Sequence, residues 1–187
     1  MNPFQSFQDA LVKMYPSLNV FSDIDWDDLT QEYIASHDER PTDLEEFLFN
    51  FPHYLQDKAA AGDCPVYLFE LAYFEYLQTQ IIENELDLPE ELGLHLNPSL
   101  SFLNLEFDIN LMLDEATKGN VQIFERPHVL CLYRHPSKGF HHIDITTPVL
   151  KVLQKLEDGP LTNESEFHND DLSTLEHLIE LGLVIKV

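Results

Sequence analysis

The chain has 187 residues, of which 34 are acidic and 10 are basic, so its formal net charge is −24 at pH 7. Because nucleic-acid binding depends on neutralising phosphates with Lys and Arg, this charge disfavours nucleic acid and anionic membrane surfaces as partners. A hydrophobic content of 44%, with 11% aromatic residues, excludes a disordered chain and indicates a globular fold.

Two cysteines, Cys64 and Cys131, are far apart in sequence and form neither a CxxC pair nor a disulfide framework. The first residues, MNPFQSFQDALVK, lack the basic and apolar regions of a signal peptide. No apolar run reaches the ~20 residues that a membrane-spanning helix needs. We therefore expect a cytoplasmic protein that is not inserted in a membrane.

Helical periodicity dominates residues 1–88, for which we predict an all-α helical bundle. Apolar residues three and four positions apart predict a first helix that ends before Pro16. Residues 23–37 predict a second helix, and the acidic residues at its start suit the positive end of the helix dipole. The longest pattern, residues 64–86, is apolar on most of its circumference and predicts a central helix after a turn that contains Gly62.

Another helix is predicted within RPTDLEEFLFNFPHYLQDK, where Thr42 and Glu45 have the spacing of a capping box. Pro52 lacks a backbone N–H and its ring collides with the preceding turn, so we expect this helix to break or kink near Asn50–Phe51. The FPHYL stretch around Pro52 is interpreted as structural, with its aromatic rings packed inside the bundle.

The pattern changes after residues 89–98, which we predict to be a linker. The chain as a whole is expected to be an α+β protein, in which residues 99–187 form a small α+β winged-helix-like domain. Two strand-like runs come first, LSFLNLEFDINLML and HVLCLYRHPSKGFHHIDI, and HPSKG provides the turn between two strands of the second run. Two amphipathic helices and the strand LVIKV then complete a helix-turn-helix unit.

The final helix of that unit carries the wrong charge for reading DNA. From Asp170 to Val187 the chain holds four acidic residues and a single cation, Lys186. Such a helix offers no Arg or Lys to phosphates or to guanine. Its apolar spacing suits packing, so we interpret the unit as a scaffold for protein or peptide contacts.

The sequence has no GxSxG, P-loop, GxGxxG, HExxH or paired CxxC motif, and we predict no catalytic residue, metal or cofactor. Five residues near the predicted hairpin raise the question of a metal site: His128, Cys131, His135, His141 and His142. Their spacing matches no zinc-ligand pattern, so exposed histidines and a buried structural thiol are the preferred interpretation. A stand-alone enzyme that uses these histidines is the least favoured alternative.

A longer stretch carries a resemblance to a known family. YIASHDERPTDLEEFLFNFPHYLQDKAAAGDCPVYLFELAYFEYLQTQI resembles the N-terminal domain of the HvfC/BufC family, which was formerly labelled a DNA-binding domain. LNPSLSFLNLEFDI is similar to the family's post-linker segment, although Asn97 stands before Pro98 and Ser99 where the family has a His-Pro-Ser-like start. VLCLYRHPSKGFHHIDITTPVLKVLQKLEDG resembles the C-terminal region, so the similarity covers most of residues 4–187.

The resemblance implies a partner role. Members of the family accompany multinuclear non-haem iron enzymes that oxidise cysteines in ribosomally made precursor peptides. The HvfC-like protein is the accessory subunit that helps to present the peptide, and the iron-binding and catalytic residues belong to the partner enzyme. We therefore predict a non-catalytic, peptide-recognising accessory subunit. The alternative is a sequence-specific DNA-binding transcriptional regulator.

Strand addition to a sheet edge is the recognition mode that fits an extended peptide. On this basis we predict nine residues of the hairpin and the last strand as the peptide-binding or partner-binding site. They are Leu132, Tyr133, Arg134, Phe140, His141, His142, Ile143, Val184 and Ile185. Arg134 is notable because cations are scarce, and two roles stay open for it: a bidentate clamp on a ligand carboxylate, or an internal salt bridge.

Overall fold

The computed structural model describes residues 3–21, 25–36, 43–157, 159–162 and 167–187. These residues form a mixed α+β fold with eight helices, five of which precede the first strand, and two small sheets. The predicted α+β class is confirmed at this level. Within the described ranges, no helix is both long enough and apolar enough to cross a membrane.

The helices and strands have the following bounds. The helices are α1 Pro3–Met14, α2 Leu18–Phe21, α3 Trp26–Ala35, α4 Leu44–Ala61, α5 Val66–Glu83, α6 Ile109–Thr117, α7 Thr147–Glu157 and α8 Asn169–Glu180. The strands are β1 Leu94–Leu96, β2 Ser101–Phe107, β3 Glu125–His135, β4 Gly139–Asp144 and β5 Val184–Lys186. One sheet has two strands in the order β1-β5, and the other has three in the order β2-β3-β4.

Two compact units interleave along the chain. The first comprises residues 1–79 and 105–127, and the second comprises residues 80–104 and 128–187. Helix α5 and strands β2 and β3 therefore each have residues in both units. The predicted linker, residues 89–98, lies within the second unit, and whether the chain folds as two contiguous domains stays a prediction.

Aspartates begin two helices of the first unit. Asp25 is the N-cap of α3, and its carboxylate accepts hydrogen bonds from the N–H groups two and three residues later. Asp43 caps α4 in the same way. The predicted capping box placed this role on Thr42, which lies outside the described residues. The N-cap of α4 is Asp43, one position later.

Helix α4 runs through Pro52, so the helix does not break near Asn50–Phe51. A kink at this position stays a prediction. Proline supplies no N–H to the carbonyl of Leu48, four residues earlier, and a buried carbonyl without a donor is unfavourable. The hydroxyl of Tyr15, just after α1, donates to this Leu48 oxygen at 2.5 Å. A tertiary hydrogen bond therefore replaces the helical one that proline removes.

A second tyrosine supports the adjacent carbonyl. Tyr33 of α3 donates its hydroxyl to the Phe47 oxygen at 2.6 Å. Burial raises the pKa of Tyr15 and of Tyr33 above the usual value, so both hydroxyls stay protonated and remain donors. The rings of both tyrosines also pack against Phe51. Phe51 is fully buried, in agreement with the structural interpretation of the FPHYL stretch.

Glu70 of α5 is 4% exposed, and its carboxylate holds the end of β2. The Oε1 atom accepts from the Glu106 N–H at 2.8 Å, and the Oε2 atom accepts from the Phe107 N–H at 3.1 Å. Asp108 then begins α6 by accepting from the Leu111 N–H. The strand-like run LSFLNLEFDINLML is therefore a strand only as far as Phe107, and its second half is helical.

In the second unit, β1 and β5 pair in antiparallel fashion, with Leu94 opposite Lys186 and Leu96 opposite Val184. The predicted strand LVIKV is confirmed as β5. Strand β1 was expected to be linker, because three residues are too few to show a periodicity. Its Leu94 also exchanges two backbone hydrogen bonds with Leu161, so β1 is held on both sides.

Helices α7 and α8 correspond to the two predicted amphipathic helices, and they pack against each other. Their apolar faces form the core of the second unit together with residues from β1, β3 and β5. The buried members of this core are Leu94, Cys131, Tyr133, Val152, Leu153, Leu156, Phe167, Leu175, Leu178, Leu183 and Val184. The side chains of Cys131 and Tyr133 thus fix the hairpin of β3 and β4 to helices α7 and α8.

The contact between Tyr15 and Leu48 can be tested with Pro52. We expect Tyr15→Phe to lower the free energy of unfolding by about 1–3 kcal/mol, because it leaves the Leu48 carbonyl buried without a donor. In a Pro52→Ala background the loss should fall below ~1 kcal/mol, since the substituted alanine would supply the helical N–H. Urea denaturation of the four proteins measures this coupling.

Tyr67→Phe is the matched control for that cycle. The Tyr67 hydroxyl also donates to a backbone carbonyl, that of Phe21, but this carbonyl is unrelated to Pro52. Its effect should be the same in both backgrounds. Equal losses for Tyr15→Phe in the two backgrounds would contradict the role assigned to Tyr15.

Glu75 of α5 is 5% exposed and makes folding stability depend on pH. Its Oε1 atom accepts from the Ser17 N–H at 3.0 Å, whereas the buried Oε2 atom has no hydrogen-bond partner among the described residues. Burial raises the pKa of Glu75 to about 7, and the hydrogen bonds from Ser17 only partly oppose this shift. The folded state therefore binds a proton that the unfolded state releases near its ordinary pKa of 4.5.

Because the folded-state pKa is the higher one, stability is greatest below the unfolded-state pKa and falls as pH rises toward 7. We expect Glu75→Gln to remove this dependence and to raise the unfolding free energy at about pH 8 by on the order of 1–3 kcal/mol. At about pH 5 the two proteins should differ much less. Glu106→Gln, at an exposed glutamate, controls for the change in net charge. A constant difference across this pH range would contradict the assignment.

Candidate functional site

Strands β3 and β4 form the hairpin that the HPSKG turn predicts. Residues 136–138 make the turn, and Gly139 after it has φ +86°, a conformation that favours glycine. The ring Nδ1 atom of His135 accepts a hydrogen bond from the Ser137 N–H at 3.0 Å and stiffens the loop. The pairing runs from His135 opposite Gly139 to Leu130 opposite Asp144.

Of the three predicted site residues on β3, two are buried and Arg134 is half-buried. Leu132 and Tyr133 are almost fully buried, although consecutive side chains of a strand point to opposite faces. Tyr133 belongs to the core shared with α7 and α8. These two side chains therefore support the hairpin, and the surface available to a ligand lies on β4.

Strand β4 is the last strand in the order β2-β3-β4, and it carries four of the predicted residues. Phe140, His141 and Ile143 are half-buried and His142 is exposed. The rings of Phe140 and His142 lie 6.2 Å apart between centroids. The N–H of Ile145 donates to Val129, and the two-residue alternation of an antiparallel ladder then directs the backbone groups of Phe140 and His142 away from β3.

Arg134 is engaged within its own unit. One guanidinium nitrogen, Nη1, donates to the carbonyl oxygen of Asn84 at 2.6 Å and to that of Ile82 at 3.4 Å. These carbonyls lie at the C-terminal end of α5, where a positive charge is favourable to the helix dipole. Of the two roles left open, neither of these bonds is an internal salt bridge, because both acceptors are backbone oxygens rather than carboxylates. A contact with a ligand carboxylate stays a prediction.

The remaining predicted residues, Val184 and Ile185, lie on β5 in the other sheet. Val184 is buried in the core, and half-buried Ile185 is paired with His95 of β1. The nine residues are therefore brought into one unit but divided between two sheets. The hairpin group lies in the three-stranded sheet β2-β3-β4.

The backbone around the hairpin is fixed by Asn97, which is 2% exposed. Its Nδ2 atom donates to the carbonyl of Arg134 at 2.9 Å and to that of Gly182 at 2.7 Å. Its Oδ1 atom accepts from the N–H and from the hydroxyl of Ser99, at 2.9 and 2.7 Å. The hydroxyl of Ser99 in turn accepts from the Arg134 N–H at 2.8 Å. Every donor and acceptor of this side chain is used.

Gly182 allows the α8–β5 turn to approach the tip of the hairpin. Its φ is +76°, and a Cβ at this position would lie 2.9 Å from the His135 ring and 3.0 Å from Pro136. Because its carbonyl also accepts from Asn97, which bonds to β3 as well, this turn is tied to the hairpin. Asn97, Ser99 and Gly182 were not predicted as site residues. The Asn-Pro-Ser sequence was the only local signal, and it indicates no more than an Asx-turn.

The histidines of the predicted cluster are dispersed. His135 and His141 have ring centroids 5.5 Å apart, and His128 lies 3.7 Å from an Asp144 oxygen. Across the described part of the chain, no three His, Cys, Asp or Glu side chains are grouped so that they could hold a metal ion. Cys131 is fully buried as predicted, and burial raises the pKa of its thiol to about 12. At neutral pH it is therefore a protonated, poorly reactive thiol.

Comparison with known proteins finds no family model that matches the chain, and no curated protein that matches it.

The role of Asn97 can be tested by Asn97→Asp, which keeps its shape. The substitution replaces two donated hydrogen bonds with a carboxylate facing the Arg134 and Gly182 oxygens, so we expect a loss of unfolding free energy on the order of 3 kcal/mol. Urea denaturation measures the loss, which should shrink at acidic pH as the carboxylate is protonated. Asn104→Asp, at an exposed asparagine, is the matched control and should change stability little. Equal effects of the two substitutions would contradict the role of Asn97.

Proposed function

We propose that this chain is a non-catalytic subunit that binds a ribosomally made precursor peptide and presents it to a multinuclear, iron-dependent modifying enzyme. The observation that carries the proposal is the edge position of β4 in a hairpin whose backbone is fixed on the other side. An extended peptide adds to such an edge through main-chain hydrogen bonds, and alternate side chains give the selectivity.

The anchoring of the hairpin supports this mode of binding. Asn97 and Ser99 hold the β3 backbone at Arg134, and Tyr133 packs into the helical core. Binding to a strand that is already ordered avoids most of the entropy loss that a flexible loop would incur. On the peptide-facing side, Phe140 and His142 offer an aromatic surface to a side chain of the peptide.

The helix-turn-helix part of the second unit is proposed to be a winged-helix-like scaffold rather than a DNA reader. Lys155 of α7 is bound to Asp171 of α8 at 2.8 Å, and it also lies 5.0 Å from the Phe167 ring centroid. The charge of Lys155 is therefore already engaged in a contact between α7 and α8. The exposed side of α8 adds Glu176 and Glu180, whose charges repel phosphates.

The identity of the partner enzyme rests on the resemblance to the HvfC/BufC family described above. The strongly acidic composition is compatible with an enzyme partner that presents a basic surface, because complementary charge accelerates association and aligns the two proteins. In this arrangement the iron and the catalytic residues belong to the enzyme, and the present chain contributes binding and orientation.

Co-expression with an iron-dependent peptide-modifying enzyme and a short Cys-containing precursor encoded beside it tests the proposal. We expect the three proteins to co-purify, and we expect modification of the precursor to fall when the present chain is omitted. Failure to co-purify with either partner would refute the accessory role. A sequence-dependent complex with DNA at physiological salt would instead establish the DNA-binding regulator.

Two substitutions at His142 test strand addition itself. His142→Pro removes the N–H that points away from β3, so the β3–β4 ladder is retained while a paired peptide loses a hydrogen bond. We expect precursor binding to weaken by about tenfold or more, measured by calorimetry. His142→Ala keeps the N–H and loses only the side-chain contact, so it should weaken binding much less than His142→Pro does.

Thermal unfolding of both His142 variants shows whether the fold is intact. If the two variants bind the precursor equally well, the peptide does not pair with β4 and the proposed binding mode is wrong.

A further inference from the structure

A strip of aromatic side chains lies on helices α4 and α5 of the first unit. This aromatic strip consists of Phe49, His53, Phe69, Tyr73 and Tyr76. The ring centroid of Phe49 lies 5.2 Å from that of His53 and 5.3 Å from that of Tyr76. The Tyr73 centroid lies 6.1 Å from those of His53 and Phe69, so the five rings form one continuous chain across the two helices.

The aromatic strip is accessible to solvent for most of its length. Phe49 is 38% exposed and His53 is also exposed, whereas Phe69 and Tyr73 are half-buried. Tyr76 is buried and forms the base of the strip. The contacts between neighbouring rings of the strip are T-shaped or tilted. Aromatic rings carry negative π-faces, and such faces attract cations.

Acidic side chains lie at both ends of the aromatic strip on α4. Glu45 precedes Phe49 by four residues and Asp57 follows His53 by four, so the helix places all four on one face. Both carboxylates are on exposed residues. Burial, and after it the negative charge of Glu45, raises the pKa of Tyr76, which places Glu45 within electrostatic range of the strip.

The surrounding charge favours a basic ligand. The first unit, residues 1–79 and 105–127, contains 20 acidic and 5 basic side chains, for a net charge of −15. Among the described cations of the first unit, Lys58, Lys118 and Arg126 are each bound to acidic side chains of the same unit. These internal ion pairs therefore neutralise only part of the negative charge around the aromatic strip.

We propose that the aromatic strip binds an arginine-rich segment of a partner protein. A guanidinium group stacks on an aromatic face and at the same time donates to a carboxylate, and the strip offers the two together. Lysine provides the charge without the planar stacking surface, so it binds less well. This surface is separate from the hairpin in sequence and in chemistry, and the inference does not depend on the function proposed for β4.

Three labelled peptides test the proposal with the full-length chain: alternating arginine and serine, the same peptide with lysine, and the same peptide with citrulline. Citrulline keeps the planar shape of arginine but has no charge. In fluorescence anisotropy we expect the arginine peptide to bind most tightly and the lysine peptide to bind roughly tenfold more weakly. The citrulline peptide should not bind. Equal affinities for arginine and lysine would overturn the assignment, because charge alone would then explain binding.

Substitutions locate the binding site. We expect Phe49→Ala combined with Tyr73→Ala to weaken binding of the arginine peptide about tenfold or more. Phe102→Ala is the matched control, since Phe102 of β2 is 47% exposed and lies outside the strip. His142→Pro should also leave this affinity unchanged. An equal loss with Phe102→Ala, or no loss with the double variant, would overturn the proposal.

A second pair of variants removes charge without disturbing the rings. Glu45→Gln combined with Asp57→Asn should weaken the arginine peptide severalfold, whereas Glu176→Gln combined with Glu180→Gln, which changes the net charge equally, should not. Equal effects of the two pairs would mean that the peptide responds to the overall charge and not to the aromatic strip. Concentration-dependent self-association that is lost on Phe49→Ala would show that a second copy of the chain occupies the surface instead.

Discussion

The side-chain amide of Asn97 is the contact on which the second unit depends. It joins three backbone segments: the segment after β1, strand β3 at Arg134, and the turn at Gly182 between α8 and β5. An amide suits this position because it presents two donors and an acceptor with two lone pairs on one rigid plane. A histidine has one ring N–H when neutral and could not satisfy the same set.

The first unit uses the same physical strategy with other chemistry. Tyr15 donates to the Leu48 carbonyl that Pro52 leaves without a partner, and Glu70 accepts from adjacent N–H groups at the end of β2. In each case a buried polar side chain satisfies backbone atoms that regular secondary structure does not. The acidic surface and the polar interior therefore have different roles. Under the proposed function the acidic surface selects the partners, whereas the buried groups fix the backbone geometry.

Local patterns predicted most of the elements. Periodicity located the long helices, and the HPSKG turn located the hairpin. The features that the sequence did not predict depend on long-range contacts. The Tyr15 hydroxyl that bonds to the Leu48 carbonyl is 33 residues away from it in sequence, and Asn97 bonds to groups 37 and 85 residues distant. In the candidate site, the alternation of apolar and polar residues could not distinguish buried supporting side chains from exposed binding side chains, because β3 has apolar side chains on both faces. Only tertiary packing shows that Leu132 and Tyr133 are buried while His142 is exposed.

The interleaving of the two units has a consequence for synthesis on the ribosome. Residues 105–127 belong to the first unit but are translated after the segment that begins the second. Until Glu106 and Phe107 have left the exit tunnel, their two N–H groups cannot reach the carboxylate of Glu70. A polypeptide terminated at the predicted linker would lack these two hydrogen bonds permanently. The nascent chain therefore cannot complete its first unit until residues 105–127 are translated, although part of the second unit precedes them in the sequence.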